Sequence, residues 1–462
     1  MNHRYSFLWV AVLMMSTGVA VAQQKSDAAS STNRPDAAVR KAITQVEAAN
    51  LRNTVDKLVS FHTRHTLSVD MPPASGKGIA AARDWIRSEF ERYSKDCGGC
   101  LDVRLDSFTE APTERIPKPT ELSNVYAVLR GTDAANAKRV YLITGHYDTR
   151  ASETNDFESA SPGANDDGSG VAVVLESARV LSKSKFPATI VFMAVAGEEQ
   201  GLNGARHFAK MAKAEGWNVE AVLNDDTVGG DKSDPRQDRT IVRVFSEGIP
   251  LSANPQQIRA IRATGSESDS SSRQLARYIV DVGRQYLPAR GLQPKMIFRS
   301  DRFLRGGDHT AFNEQGYAAV RFTEYRENYN HQHQNPRTEN GIEYGDLPKF
   351  VDFDYAANVA RLNVATLASL ASAPAPPSQV RLLTKNLEND STLRWEAAPG
   401  GLATAYEVLW RTTTSPTWDN VERVGSATMA TIPRSKDNVI FAVRSVDSKG
   451  HRSLPVIPVP ER

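Results

Sequence analysis

The sequence predicts an α/β protein built on a mostly parallel, mixed sheet covered by helices on both faces, with a small all-β sandwich after it. Three observations predict this. Short apolar runs alternate with stretches of helical periodicity through most of the chain, which places strands in one sheet with helices packed against it. The run Thr189 to Ala196 is apolar throughout and too short for an ordinary helix, which suits a strand buried on both faces. After the proline-bearing stretch SAPAPP, segments such as STLRWEA, AYEVLWR and NVIFAVRSVD alternate apolar with polar residues between turns, the pattern of a two-sheet sandwich.

A chain of 462 residues accommodates one large domain and a small one. With 56 basic and 54 acidic residues the net charge is +2, so no polyelectrolyte field points to nucleic acid or an anionic membrane surface. Residues 1–22 are expected to be a signal peptide: Arg4 is the positive region, FLWVAVLMM the apolar core, and Ala20-Val21-Ala22 the small-x-small site. Export to the periplasm or the extracellular space follows. Residues 23–36 are polar and small, a disordered lead-in. No later run is long enough to span a bilayer. The two cysteines, Cys97 and Cys100 in DCGGC, suit a short disulfide in an oxidising compartment. A redox-active pair or half of a zinc site also fits the spacing, although no second cysteine pair exists to complete the latter.

In chain order, residues 37–65 and 78–93 carry apolar residues at helical spacing. His62 and His65 close the first of these helices and read as structural. Residues 100–108 and 122–129 read as strands with the Pro-rich ERIPKPTE between them. KRVYLITGHYDT is a buried strand that ends at a glycine and then presents His146 and Asp148. SPGANDDGSG leads into a helix over 171–181; the Thr189 strand, a helix over 202–215 and a strand over 219–223 ending in NDD follow. Beyond residue 231 the pattern loosens. RTIVRVF and 318–322 read as strands, and 271–287 and 353–371 as helices. The expected domains are therefore 37–372, a linker at 373–377, and 378–462.

Five hard or borderline donors close these elements: His146, Asp166, Glu199, Asp226 and His333. Their chemistry suits a catalytic zinc-type site, since a structural one would be thiolate-rich. Two divalent ions balance three carboxylates and a hydroxide, whereas one ion would leave the site anionic. Asp148 is placed to accept the second imidazole N–H of His146. Adjacent residues leaving a strand diverge, so Glu198 is free to move a proton while its neighbour Glu199 binds metal. His309, in GGDHTAF, reads as structural, and His207 and His451 as surface residues.

GHYDT, PGANDDGSGVA, AGEEQGL, the NDD after a strand, and HQHQNPRT together resemble the secreted co-catalytic di-zinc aminopeptidase family, over roughly residues 40 to 372. The resemblance implies a zinc exopeptidase-like fold, two Zn2+ ions and peptide substrates. It implies that Asp166 bridges the metals, that His146 and Asp226 complete one site, and that Glu199 and His333 complete the other. Glu198 matches the general base, Asp148 a supporting carboxylate, and a cis peptide follows Asp166. His331 is the alternative to His333, and Arg337 stands where the family commonly has Asp. Residues 378–462 resemble a fibronectin type III domain, whose expected role is spacing or contact with a cell surface or polymer. The alternatives are a carboxypeptidase, a glutaminyl cyclase, or a non-catalytic binding protein on the same scaffold.

Overall fold

Eight strands align into one sheet, and its central strands are buried on both faces because apolar residues occupy both. The computed structural model describes residues 35–72 and 75–462; the expected signal peptide and nearly all of the lead-in lie outside them. Two helices, α1 (Ala37–Ile43) and α2 (Ala48–Val59), precede α3 (Gly78–Asp96), β1 (Leu101–Glu110), β2 (Thr120–Leu129) and β3 (Arg139–His146). Next come α4 (Gly168–Leu181), β4 (Thr189–Val195), α5 (Asn203–Ala214), β5 (Asn218–Asp225), β6 (Ile241–Ser246), α6 (Pro255–Ala263), α7 (Ser271–Tyr286) and β7 (Gln293–Ile297). The large sheet is completed by β8 (Ala319–Glu324), after α8 (Asp308–Glu314), and α9 (Phe353–Ser372) packs across it. A small hairpin of β9 (Arg337–Glu339) and β10 (Ile342–Tyr344) lies between them.

The strand order is β1-β2-β4-β3-β5-β8-β6-β7. The centre, β4-β3-β5-β8, is parallel, while β1-β2, β2-β4 and β8-β6 are antiparallel. Two-residue alternation divides the sheet between two cores. Ile190, Phe192 and Ala194 of β4 face the core made with α2, α4 and α9, and Val191, Met193 and Val195 face the core made with α5 and α8. The predicted helices on both faces are therefore present, and the parallel strands all end on one rim.

The first helix departs from expectation. It breaks at Thr44 because the buried Glu176 of α4 accepts Glu47 N at 2.8 Å and Asn50 Nδ2 at 3.3 Å, which starts α2 anew from a tertiary contact. Cys97 and Cys100 are disulfide-bonded between α3 and β1. No helix among the described residues is long and apolar enough to cross a membrane.

The remaining strands are β11 (Ser378–Leu383), β12 (Ser391–Glu396), β13 (Ala405–Thr412), β14 (Asn420–Arg423), β15 (Met429–Ile432), β16 (Val439–Val446) and β17 (Val459–Glu461). They form a four-stranded sheet, β15-β12-β11-β17, and a three-stranded one, β14-β13-β16. Both close over Leu393, Trp395, Tyr406, Val408, Phe441 and Val443. His451 corrects the surface assignment made from sequence. It is held between Asp447 at 2.7 Å and Asp36 at 2.6 Å, because the turn after β16 packs back on the start of α1.

Candidate metal centre

Three chain segments meet at the rim because glycine lets them approach. A Cβ on Gly145 would lie 2.6 Å from the Gly170 carbonyl carbon, and one on Gly170 would lie 2.3 Å from Asp225 O, so β3, the start of α4 and the end of β5 converge only without side chains there. Asp167 fastens them further. Its carboxylate accepts Gly170 N at 2.8 Å, His146 N at 3.0 Å and Thr227 N at 3.2 Å. The peptide between Asp166 and Asp167 is cis, as the family resemblance implied.

The five expected donors come together as two overlapping triplets. His146, Asp166 and Asp226 form one, and Asp166, Glu199 and His333 the other, with ligand atoms within 4.8 Å of one another in each. His146 Nε2 is 3.1 Å from Asp166 Oδ1 and 4.0 Å from Asp226 Oδ1, while His333 Nε2 is 3.0 Å from Asp166 Oδ2 and 2.9 Å from Glu199 Oε1. The three carboxylates are buried, and Glu199 Oε1 has an ion-pair contact but no hydrogen bond. So many buried anions need compensating charge. Burial alone would lower the His333 imidazole, but Glu199 and Asp166 hold it up to about 10, and His146 is likewise raised by Asp148 and Asp166. A nitrogen and oxygen donor set of this kind, shared at one carboxylate, fits a pair of zinc-type ions.

Glu198 joins neither triplet. Burial raises its carboxyl well above the usual range, with Asp226, Glu199 and Asp308 adding to the rise and His146 opposing it. That leaves a carboxyl beside the donors with an affinity for protons suited to general acid–base work. Asp225 faces the opposite side, where Asn363 donates to it at 2.8 Å, so of the two adjacent carboxylates at the end of β5 only Asp226 joins the donors. His331 pairs with Asp231 and stacks on Phe350 at 3.7 Å, away from the donors.

Asp148 departs in part from its expected place. His146 Nδ1 is 3.2 Å from the Asp148 backbone carbonyl and 3.6 Å from its carboxylate, so the hydrogen bond runs to the main chain. The carboxylate instead accepts Glu198 N and Glu199 N, each at 3.1 Å, and so orients the turn that carries both glutamates. Arg337 is exposed and pairs with Glu339; the loop after His333 is held by Asn335 and Ser152 through reciprocal bonds of 2.7 and 3.0 Å. His309 donates to Ser300 O at 2.8 Å, in keeping with a structural role.

Several supporting residues escaped sequence reasoning. The buried Arg64 donates to Tyr147 O, Pro162 O and Gly163 O at 2.7 to 2.8 Å and so clamps the loop ahead of Asp166 to the end of β3. Asp346 accepts Asn165 N at 2.9 Å and Asp166 N at 2.7 Å, and Gln332 donates to Asp166 Oδ2 at 2.7 Å. Arg321, fully buried on β8, donates to Asp226 Oδ1 at 2.6 Å. Its signal was available in the sequence: a lone charge inside the apolar run AAVRF.

Comparison with known proteins agrees with this geometry. The sequence profile of peptidase family M28 matches residues 124–352. A protein of Pyrenophora teres f. teres described as a probable zinc metalloprotease is 45% identical over 429 residues, covering 92% of this chain and 88% of its own. One from Leptosphaeria maculans with the same description is 44% identical over 427 residues, covering 92% and 98%. Among solved structures, the Legionella pneumophila LapA aminopeptidase superposes with a TM-score of 0.52 at 20% identity, over 72% of this chain and 74% of that one. An aminopeptidase from Aneurinibacillus sp. strain AM-1 gives 0.50 at 15% identity, over 72% and 96%. At these identities the structural likeness speaks for the fold.

Proposed function

The chain belongs to peptidase family M28 and is a zinc metallopeptidase; from that premise we propose that it is an exopeptidase that removes N-terminal residues from peptides. The observation that carries the proposal is the pair of donor triplets sharing Asp166, with Glu198 beside them and bound to neither. His146, Asp166 and Asp226 would hold one zinc ion, and Asp166, Glu199 and His333 a second. Bound there, the ions would supply Lewis acidity toward a scissile carbonyl and make water more acidic. Glu198 takes the proton of the attacking water and delivers it to the leaving amine. Asp148 keeps Glu198 and Glu199 aimed by holding both of their backbone N–H groups. Retention of both triplets favours this activity over a cyclase working with one ion. Residues 1–22 would direct export.

The test is hydrolysis of aminoacyl p-nitroanilides with and without a chelator, repeated on N-acetylated substrates. Free-amine substrates should be cleaved and acetylated ones refused, and chelation should abolish activity until zinc is restored. Glu198→Gln should keep its zinc and lose about 10²- to 10⁴-fold in kcat. Unchanged turnover in that variant would remove Glu198 from the reaction, and cleavage from the carboxyl end would replace the aminopeptidase proposal.

A further inference from the structure

We propose that the protein wall beyond Asp226 is an anion-recognition subsite that makes the enzyme prefer substrates whose N-terminal residue carries a side-chain carboxylate, a preference that presupposes the exopeptidase activity proposed above. The wall begins at the metal centre. Arg321 donates to Asp226 Oδ1 at 2.6 Å and to Gly306 O at 3.3 Å, and Arg302 donates to the same carbonyl at 3.0 Å. From there Arg302, Arg305 and Arg243 converge on a single carboxylate, Glu327, at 3.0, 2.8 and 3.0 Å. Asp301 contributes the next anion, 3.0 Å from Arg302 and 3.5 Å from Arg321. Asp308 also lies near Arg321, but it is fully buried with neither oxygen hydrogen-bonded, a setting that favours the neutral carboxyl.

Charge and exposure both point outward along this row. Four guanidinium groups stand against Asp226, Asp301 and Glu327, and a role for Asp226 in the metal centre leaves two anions among four cations. Side-chain exposure rises from 0% at Arg321 to 10% at Arg302 and 35% at Arg305. Beyond Arg305, Tyr329 is 61% exposed and its hydroxyl accepts from Arg305 at 3.0 Å. Among the described residues, Arg305 Nη2 is engaged by Glu327 and Tyr329 while Nε and Nη1 have no acceptor, so two separate N–H donors of the most exposed guanidinium in the row remain free. A carboxylate accepts a charge-assisted hydrogen bond from such a donor, and its charge is of the sign the wall lacks. A neutral amide of the same shape brings no charge and mispairs one of its two positions.

The experiment compares L-glutamyl with L-glutaminyl p-nitroanilide, an almost isosteric pair, on the full-length zinc-loaded enzyme. The glutamyl substrate should show about a tenfold or larger advantage in kcat/KM, carried mainly by KM. Arg305→Gln should bring the ratio close to one, and Arg305→Glu should invert it; Arg305 is partly exposed, so both variants should fold. Calorimetric binding of free L-glutamate and L-glutamine gives a readout that needs no turnover, with glutamate the tighter ligand in the wild type and the difference lost in Arg305→Gln. Equal kcat/KM for the two substrates, or a ratio unaltered by Arg305→Gln, overturns the subsite. Failure to cleave any aminoacyl anilide overturns the exopeptidase activity instead, and the calorimetric comparison then decides the subsite alone.

Discussion

At the scale of single residues, the metal centre is a set of buried acids matched against whatever positive charge can reach them. His333 shows this most directly, since Glu199 and Asp166 overcome the effect of burial and hold its imidazole up to about 10, far above an ordinary histidine. Protein stripped of metal should therefore carry a proton on His333 at neutral pH, and His146, raised in the same direction, should carry another. Metal ligation requires neutral imidazoles, so zinc must expel both protons. Calorimetric titration of the stripped protein at pH 7, in buffers of different ionisation enthalpy, should report release of about two protons as both positions fill. Apparent affinity should fall steeply toward acid. Binding with no proton release would mean that the histidines are not ligands. The five donors were legible in the sequence because each ends a strand or opens a turn. Arg64, Gln332 and Asp346 were not, because each reaches the site from another segment and carries no local signature of doing so.

At the scale of elements, what positions the donors is the fit between β3, the start of α4 and the end of β5. Gly145 is the sharpest case: a methyl group there would sit 2.6 Å from the backbone of Gly170. Backbone cannot yield as a flexible side chain can, so Gly145→Ala must push β3 and α4 apart. Overpacking of that kind costs about 1–3 kcal/mol. Denaturant unfolding should show the loss, and zinc affinity should fall with it, since His146 and Asp166 lie on the separated segments; an unperturbed variant would mean that the two elements are free to slide. The same fit explains which elements could be read. Strands over 139–146, 189–195 and 218–225 declare themselves because both faces are apolar, and their helices because of amphipathic spacing. By contrast, α6 has no buried residue, α8 spans 7 residues, and β7 carries Pro294 and is only partly buried. Such pieces take their form from neighbours in space, as the break between α1 and α2 at Glu176 does.

At the scale of the whole molecule, the composition shift after residue 372 suggested a tethered module, yet residues 35–462 form one compact unit. The seam has a buried centre. Arg411 of β13 grips Asp269, just ahead of α7, with two bonds of 2.8 Å, and Arg277 of α7 adds a third at 2.9 Å, all three side chains being 2% exposed or less. The Trp418 ring lies 5.5 and 5.6 Å from the Arg277 and Arg411 guanidinium groups and its Nε1 donates to Gln274 at 3.2 Å. Around it, Asn136 donates to Gly400 O at 3.0 Å, and His451 reaches Asp36 at 2.6 Å. Removing the Asp269 charge would leave two buried cations facing each other. A partner stranded in this way typically costs about 3–5 kcal/mol, well beyond the worth of a surface pair. Asp269→Asn should therefore lower the unfolding midpoint of the entire chain, and calorimetry should still record one transition, because the sandwich and the large sheet unfold together. Two transitions, with the upper one at the wild-type temperature, would show instead that the sandwich melts by itself and that the peptidase body does not depend on it.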